Sequence, residues 1–243
     1  MRHSIAIRKT CSLLLFFTVW TALLRPTFAH RPIFTDDKAT GPDTAILIKE
    51  PQISQVVYRE ITKDSPQVWL AFDVPEKFDI FVQIGIPAID RQKDFRPVMA
   101  LVGPGLPDKD VPFELPQNVG AKVFSTKHVA QPRFFHEHFT GTDSWILRSE
   151  TVALPQSGRY FLVAYSPDNQ TGKLWLSVGK KESFTLQDLW EFPVWRKRIR
   201  EFHEIESKKA PQKQPTESAP KRETDQAAHF ESKRITRAFR LPF

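Results

Sequence analysis

Leu154–Gly179 reads LPQSGRYFLVAYSPDNQTGKLWLSVG. Two apolar runs, Arg159–Ser166 and Lys173–Val178, flank the turn-rich Pro167-Asp168-Asn169-Gln170-Thr171-Gly172. In the first run Tyr160, Leu162 and Ala164 fall on one face, with Phe161, Val163 and Tyr165 on the other. In the second, Leu174, Leu176 and Val178 share a face. Successive side chains of a strand point to opposite sides, so a period of two marks extended chain, here apolar on both faces. Bounded by Gly and Pro, the stretch predicts an antiparallel hairpin buried on both sides.

Upstream the same period recurs. Ala45–Lys49 is a short strand candidate. Ile53–Ile61 reads as a strand or as a short helix opened by Ser54, and Val56, Val57 and Tyr58 favour the strand. Val68–Val74 and Phe78–Ile86 alternate cleanly, and the short Pro75-Glu76-Lys77 between them predicts a second hairpin. Pro97–Val102, Ala121–Ser125, Phe134–Phe139 and Ser144–Val152 complete the set. Between Gly103 and Pro132 the chain is long, irregular and rich in Pro and Gly, and compact domains seldom carry such a loop without a task. Many short strands with no amphipathic helix between residues 45 and 179 predict one all-β domain, an antiparallel sandwich or jelly roll over 30–182.

Helix is expected only afterwards, over 183–206. Thr185-Leu186-Gln187-Asp188 resembles a capping box, Pro193 should interrupt, and a second helix is expected over Val194–Glu206. There Trp195, Ile199, Phe202 and Ile205 recur at helical spacing among Arg196, Lys197, Arg198 and Arg200. Residues 207–243, rich in Lys, Glu, Gln, Pro and Ser, are expected to be a disordered basic tail.

Residues 1–29 carry the marks of a cleaved export signal. Arg2, Arg8 and Lys9 precede the apolar Cys11–Leu24, and Thr27-Phe28-Ala29 offers a cleavage site. Fourteen residues of helix span about 21 Å, short of a bilayer core. Cleavage would remove Cys11, the one cysteine, so neither disulfides nor thiol chemistry are expected in the mature chain. The expected location is the periplasm or the extracellular space. The net charge of +7 divides into +4 for residues 1–29, −3 for residues 30–195 and +6 for residues 196–243. A nucleic-acid-binding domain would concentrate positive charge on its folded body. This body is mildly acidic, which argues against that class.

The LPxSGxYxLxxxSP lead and GKLWLxVG close of Leu154–Gly179 resemble the end of bacterial pre-peptidase C-terminal (PPC-type) β-sandwiches. Pro97–Gly179, with its GPGLP loop and FFHEHFTGTDSW, also looks like a set of exported bacterial proteins without an assigned activity. The PPC resemblance implies a non-catalytic accessory or binding sandwich and transfers no catalytic residue.

Two constellations bear on chemistry. In FFHEHF, a strand would put His136 and His138 on one face with Glu137 on the other, a two-point chelate suited to copper or zinc. Cleavage after Ala29 would also expose His30, whose α-amine and imidazole can grip one copper ion as in a histidine brace, with His136 or His138 completing the site. Against this stand the usual role of strand histidines as hydrogen-bonding neighbours and the lack of a Met-rich stretch. Ser144 and Ser157 lack a nucleophile-elbow frame, and no carboxylate pair points to a glycosidase. Trp69, Trp145, Trp175 and Tyr165 could line a sugar-binding face, but such residues more often pack a core.

The expected function is therefore that of an exported, non-enzymatic binding or accessory sandwich. Its partner would be a protein, a glycan or an envelope polymer. The alternative is a periplasmic copper-binding protein using His30 with His136 or His138. Trp195, Arg196, Lys197, Arg198 and Arg200 form a candidate surface toward an anionic membrane or a partner.

Overall fold

The computed structural model describes residues 30–35, 38–183 and 185–205. The expected export signal and basic tail lie outside the described residues. Among the described residues the fold is an all-β sandwich with one α-helix. Its strands are β1 (Arg31–Ile33), β2 (Ile46–Leu47), β3 (Gln55–Ile61), β4 (Gln67–Val74), β5 (Asp79–Pro87) and β6 (Val98–Gly103). They continue as β7 (Gly120–Phe124), β8 (Arg133–Glu137), β9 (Thr142–Ala153), β10 (Gly158–Tyr165) and β11 (Gly172–Val178), followed by helix α1 (Leu186–Phe202). The first sheet runs β1-β3-β11-β5-β9-β8 and the second β2-β4-β10-β6-β7.

The inward residues of both sheets meet in one core. Phe72, Leu101, Tyr160 and Leu162 from the second sheet pack with Ile80, Ile84, Leu174 and Leu176 from the first, all fully or almost fully buried. Each side chain of this size contributes about 1.5–3 kcal/mol on leaving water. The alternation of Leu154–Gly179 is thus correctly that of strands apolar on both faces, but the expected hairpin does not form. β10 pairs with β4 and β6, whereas β11 pairs with β3 and β5 in the other sheet. The same correction applies to β4 and β5. The Pro75-Glu76-Lys77 connection, with Lys77 at φ +58°, carries the chain from one sheet to the other. Two strands that alternate and turn back satisfy either arrangement. The crossing is preferred because it sets their inward faces against each other across the core.

The outward faces are covered differently. On the second sheet, Val111, Phe113, Leu115 and Val119 of the long irregular loop pack over Trp69, Val102, Phe161 and Val163. That is the loop's task, and Phe113 meets the Trp69 ring edge-on at 5.1 Å. On the first sheet α1 provides cover, burying Trp195 and Ile199.

The capping box forms as expected. Thr185 Oγ1 accepts from the Asp188 amide at 3.3 Å, and Asp188 Oδ2 accepts from the Thr185 amide at 2.6 Å. Pro193 does not end the helix, which runs through it to Phe202. Proline removes one amide donor, and the carbonyl thereby freed is that of Leu189, on a side open to water. The burial of Trp195 and Ile199 beyond the proline holds the second half in line with the first. Both ends of α1 are tethered: Asp188 Oδ1 pairs with Arg31 of β1 at 3.1 Å, and Glu204 with Arg91 and with Lys173 of β11 at 2.8 Å.

The segment ahead of β2, where no strand is expected, contains β1, paired parallel with β3. Three residues that include Pro32 carry no readable period.

Candidate functional site

A polar cavity lies between α1 and the outward face of the first sheet. It begins with a glycine. Gly85 of β5 stands opposite Trp175 of β11, and a Cβ there would come within 2.2 Å of Trp175 Cζ2. The missing side chain lets the indole lie across β5 and reach β9, where Trp175 Nε1 donates to Ser144 Oγ at 3.2 Å. Ser144 in turn meets His203 Nε2 at 3.1 Å, just past the end of α1. His203 Nδ1 lies 2.8 Å from the Ile199 carbonyl. A carbonyl only accepts, so Nδ1 carries the proton and Nε2 receives the serine hydroxyl. The result is one directed relay: Trp175 N–H to Ser144 O–H to His203 to the Ile199 carbonyl.

Burial holds His203 neutral, pushing its pKa down to about 4, with the Lys173 charge assisting and the Ile199 carbonyl and Asp143 opposing. His30, Tyr58, Glu137 and Thr142 complete the polar lining, with Phe135 and Val56 as its apolar wall. Burial raises the Glu137 carboxyl, partly offset by the Phe139 amide that donates to it at 3.0 Å. Burial first and Glu137 second push the Tyr58 hydroxyl up. Burial lowers His30, whose Nδ1 meets Ser54 Oγ. The cavity measures about 20 Å³, room for a single water.

The candidate copper ligands divide between two places. His136 and His138 do come together, their rings 4.8 Å apart and both exposed, with His136 Nδ1 2.6 Å from Asp143 Oδ1. His30 instead shares the cavity with Phe135 and Glu137, and strand alternation turns those two away from His136. The structure thus sets His30 and His136 toward different faces of β8. Among the described residues no group of three or more His, Cys, Asp or Glu is arranged to hold a metal ion.

The basic helix also needs one correction. Trp195 is 6% exposed and packs inward, donating from Nε1 to Glu191, so it is no surface residue. Arg196, Lys197 and Arg198 are exposed, while Arg200 is half-buried and donates to the Thr140 carbonyl at 3.1 Å. The exposed tryptophan among the described residues is Trp190, at 86%. Trp69, Trp175 and Tyr165 are buried and Trp145 packs against the core, so they form no sugar-binding face.

His203 was not singled out from the sequence. It was nevertheless signalled, because it continues the buried stripe of Trp195 and Ile199 at intervals of four.

No family model matches the chain, and no curated protein matches it. Among solved structures, it is similar to the pre-peptidase C-terminal domain of a collagenase from Bacillus anthracis, at 12% identity and a TM-score of 0.30, over 55% of this chain and 93% of that one. It is also similar to the Methylococcus capsulatus secreted protein MopE, in which an oxidized tryptophan facilitates copper binding. There the identity is 11% and the TM-score 0.23, over 47% and 70% of the two chains. Scores of this size add nothing to the two-sheet architecture described above.

Proposed function

We propose that this protein is an exported, non-enzymatic binding or accessory module whose recognition surfaces lie outside its polar cavity. The observation that supports this is the state of Ser144. A serine nucleophile needs a base poised near the working pH, an open approach for the substrate carbonyl and donors for the developing oxyanion. Ser144 has a histidine beside it, but that histidine sits at a pKa of about 4 and is a poor base at neutral pH. The adjoining space is about 20 Å³, whereas organic ligand pockets run to roughly 300 Å³ or more. Trp175, Ser144 and His203 satisfy one another, and the relay locks α1 onto the sheet. The PPC resemblance of the Leu154–Gly179 motif points to the same class.

Treatment with a fluorophosphonate probe and a panel of activated esters at pH 8 tests this. The expected result is no labelling and no turnover. Labelling of Ser144 that disappears in His203→Ala would overturn it.

A second reading, copper binding, draws on the His136–His138 approach of 4.8 Å with Asp143 against His136. Calorimetric titration with Cu(II) separates the two. One tight copper lost in His136→Ala or His138→Ala would support it, and binding no tighter than micromolar would sink it.

A further inference from the structure

The outward side of α1 is unused by the sandwich. Opposite the buried Asp188, Trp195 and Ile199, its first turns expose Leu189 at 53%, Trp190 at 86% and Val194 at 57%. The same side continues at helical spacing into a shallow groove of about 420 Å³ lined by Pro193, Arg196, Lys197, Arg200 and Glu201. Apolar tip and basic groove are thus adjoining parts of one helix face.

We propose that α1 docks this protein onto an anionic lipid bilayer, with Trp190, Leu189 and Val194 entering the interfacial zone and Arg196 and Lys197 meeting lipid phosphates. This rests on the binding-module reading above and names its partner.

Three observations favour a lipid surface. The first is charge. Residues 30–195 carry a net −3, so the cations of α1 stand out against an acidic body, and the groove holds three of them against one Glu201. Arg196 has no ion-pair partner among the described residues, and Lys197 reaches Glu201 only at 3.7 Å with both side chains well exposed. The second is chemistry. An indole with an apolar body and one N–H, beside long cationic side chains, suits the headgroup level of a membrane. The third is area. Three apolar side chains fall well short of the roughly 800 Å² that each partner buries in a stable protein interface. They suffice as an interfacial anchor. Among the described residues no helix is long and apolar enough to cross a membrane, so α1 would lie on the surface.

The test uses the full mature chain and vesicles of phosphatidylcholine with or without about one-third phosphatidylglycerol, read by co-sedimentation. Each surface cation is expected to contribute about five-fold to partitioning. Arg196→Glu with Lys197→Glu should therefore lower binding to the anionic vesicles by well over twenty-fold, and Trp190→Ala by about ten-fold or more. All three side chains are exposed, so circular dichroism and Tm should not move. Acyl-brominated phosphatidylglycerol should quench the wild type and spare Trp190→Phe.

Equal binding to neutral vesicles would overturn the proposal, as would anionic binding indifferent to these substitutions, which would assign it to residues outside α1. Concentration-dependent dimerisation lost in Trp190→Ala would give the face to a second copy instead. Fluorophosphonate labelling of Ser144 would overturn the binding-module reading alone, and a vesicle failure would leave that reading standing.

Discussion

Gly85 and Trp175 face each other across β5 and β11 with no room for a methyl group between them: a Cβ on Gly85 would also lie 2.9 Å from the Trp145 carbonyl. The β5–β9 ladder shifts register between Ile84 and Gly85, leaving Leu147 of β9 without a partner, so β9 bulges beside the point where the indole crosses β5. Gly85→Ala must displace either the ring or the backbone.

Gly85→Ala is expected to cost about 2–4 kcal/mol, as overpacking combined with loss of the Trp175–Ser144 hydrogen bond. Urea unfolding measures it. A companion Gly85→Ala/Trp175→Phe variant should lose less than the two single changes summed, because the smaller ring vacates the space. Strict additivity would show that the clash is not the cause.

Stability should fall on acidification between pH 6.5 and 4. His203 is depressed to about 4 in the folded state, so in that window the unfolded chain binds a proton that the folded chain does not. Stability therefore rises with pH there, by about 3 kcal/mol across the window. His30, also lowered by burial, acts in the same direction. Urea midpoints against pH should show this slope in the wild type and a shallower one in His203→Phe.

A further loss is expected between pH 4.5 and 2. Glu204 is held down to about 2 by hydrogen bonds first from Arg91 and then from Lys173. The unfolded state again binds the extra proton, and the stability present above pH 4.5 is lost as the carboxylate titrates. Glu204→Gln should flatten this part of the curve and leave the segment above pH 4.5 with its slope. An unchanged curve below pH 4.5 would contradict the clamp.

Asp188→Ala removes the capping box and leaves Arg31 without its carboxylate. The expected cost is about 1–3 kcal/mol. Hydrogen exchange should quicken in the first turns of α1 before it quickens in β10 or β11. Uniform acceleration would mean that the helix and sheets open together.

Periodicity made nearly every long strand legible, because alternation is a local property of the chain. Pairing was not legible. Tyr160 and Leu176 alternate identically whether β10 and β11 lie side by side or face each other, and a turn of Pro, Asp, Asn and Gly serves either course. The site was hidden for a different reason. Ser144, Trp175 and His203 are far apart in sequence, and the space that unites them is created by a glycine on a fourth element, which no motif spacing encodes. His136 and His138 could be read as neighbours because the extended chain of β8 and the turn just past its end keep the two rings together. Their relation to His30 depended on which face of β8 turns toward the cavity that His30 lines. Trp195 was read correctly as one of a stripe, but a stripe does not say which of its neighbours stays in water.

The strand order carries one more consequence. β10 separates β4 from β6 in its sheet and β11 separates β3 from β5 in the other, so the last two strands among the described residues hold central places. A polypeptide emerging N-terminus first from the ribosome cannot complete either sheet until residues 158–178 have appeared. Everything before them waits as half-built sheets with open seams, and closure comes as a single late event. Such a chain has neither sheet closed until residue 178 has been made, and then folds slowly, because most of its pairings join distant parts of the sequence.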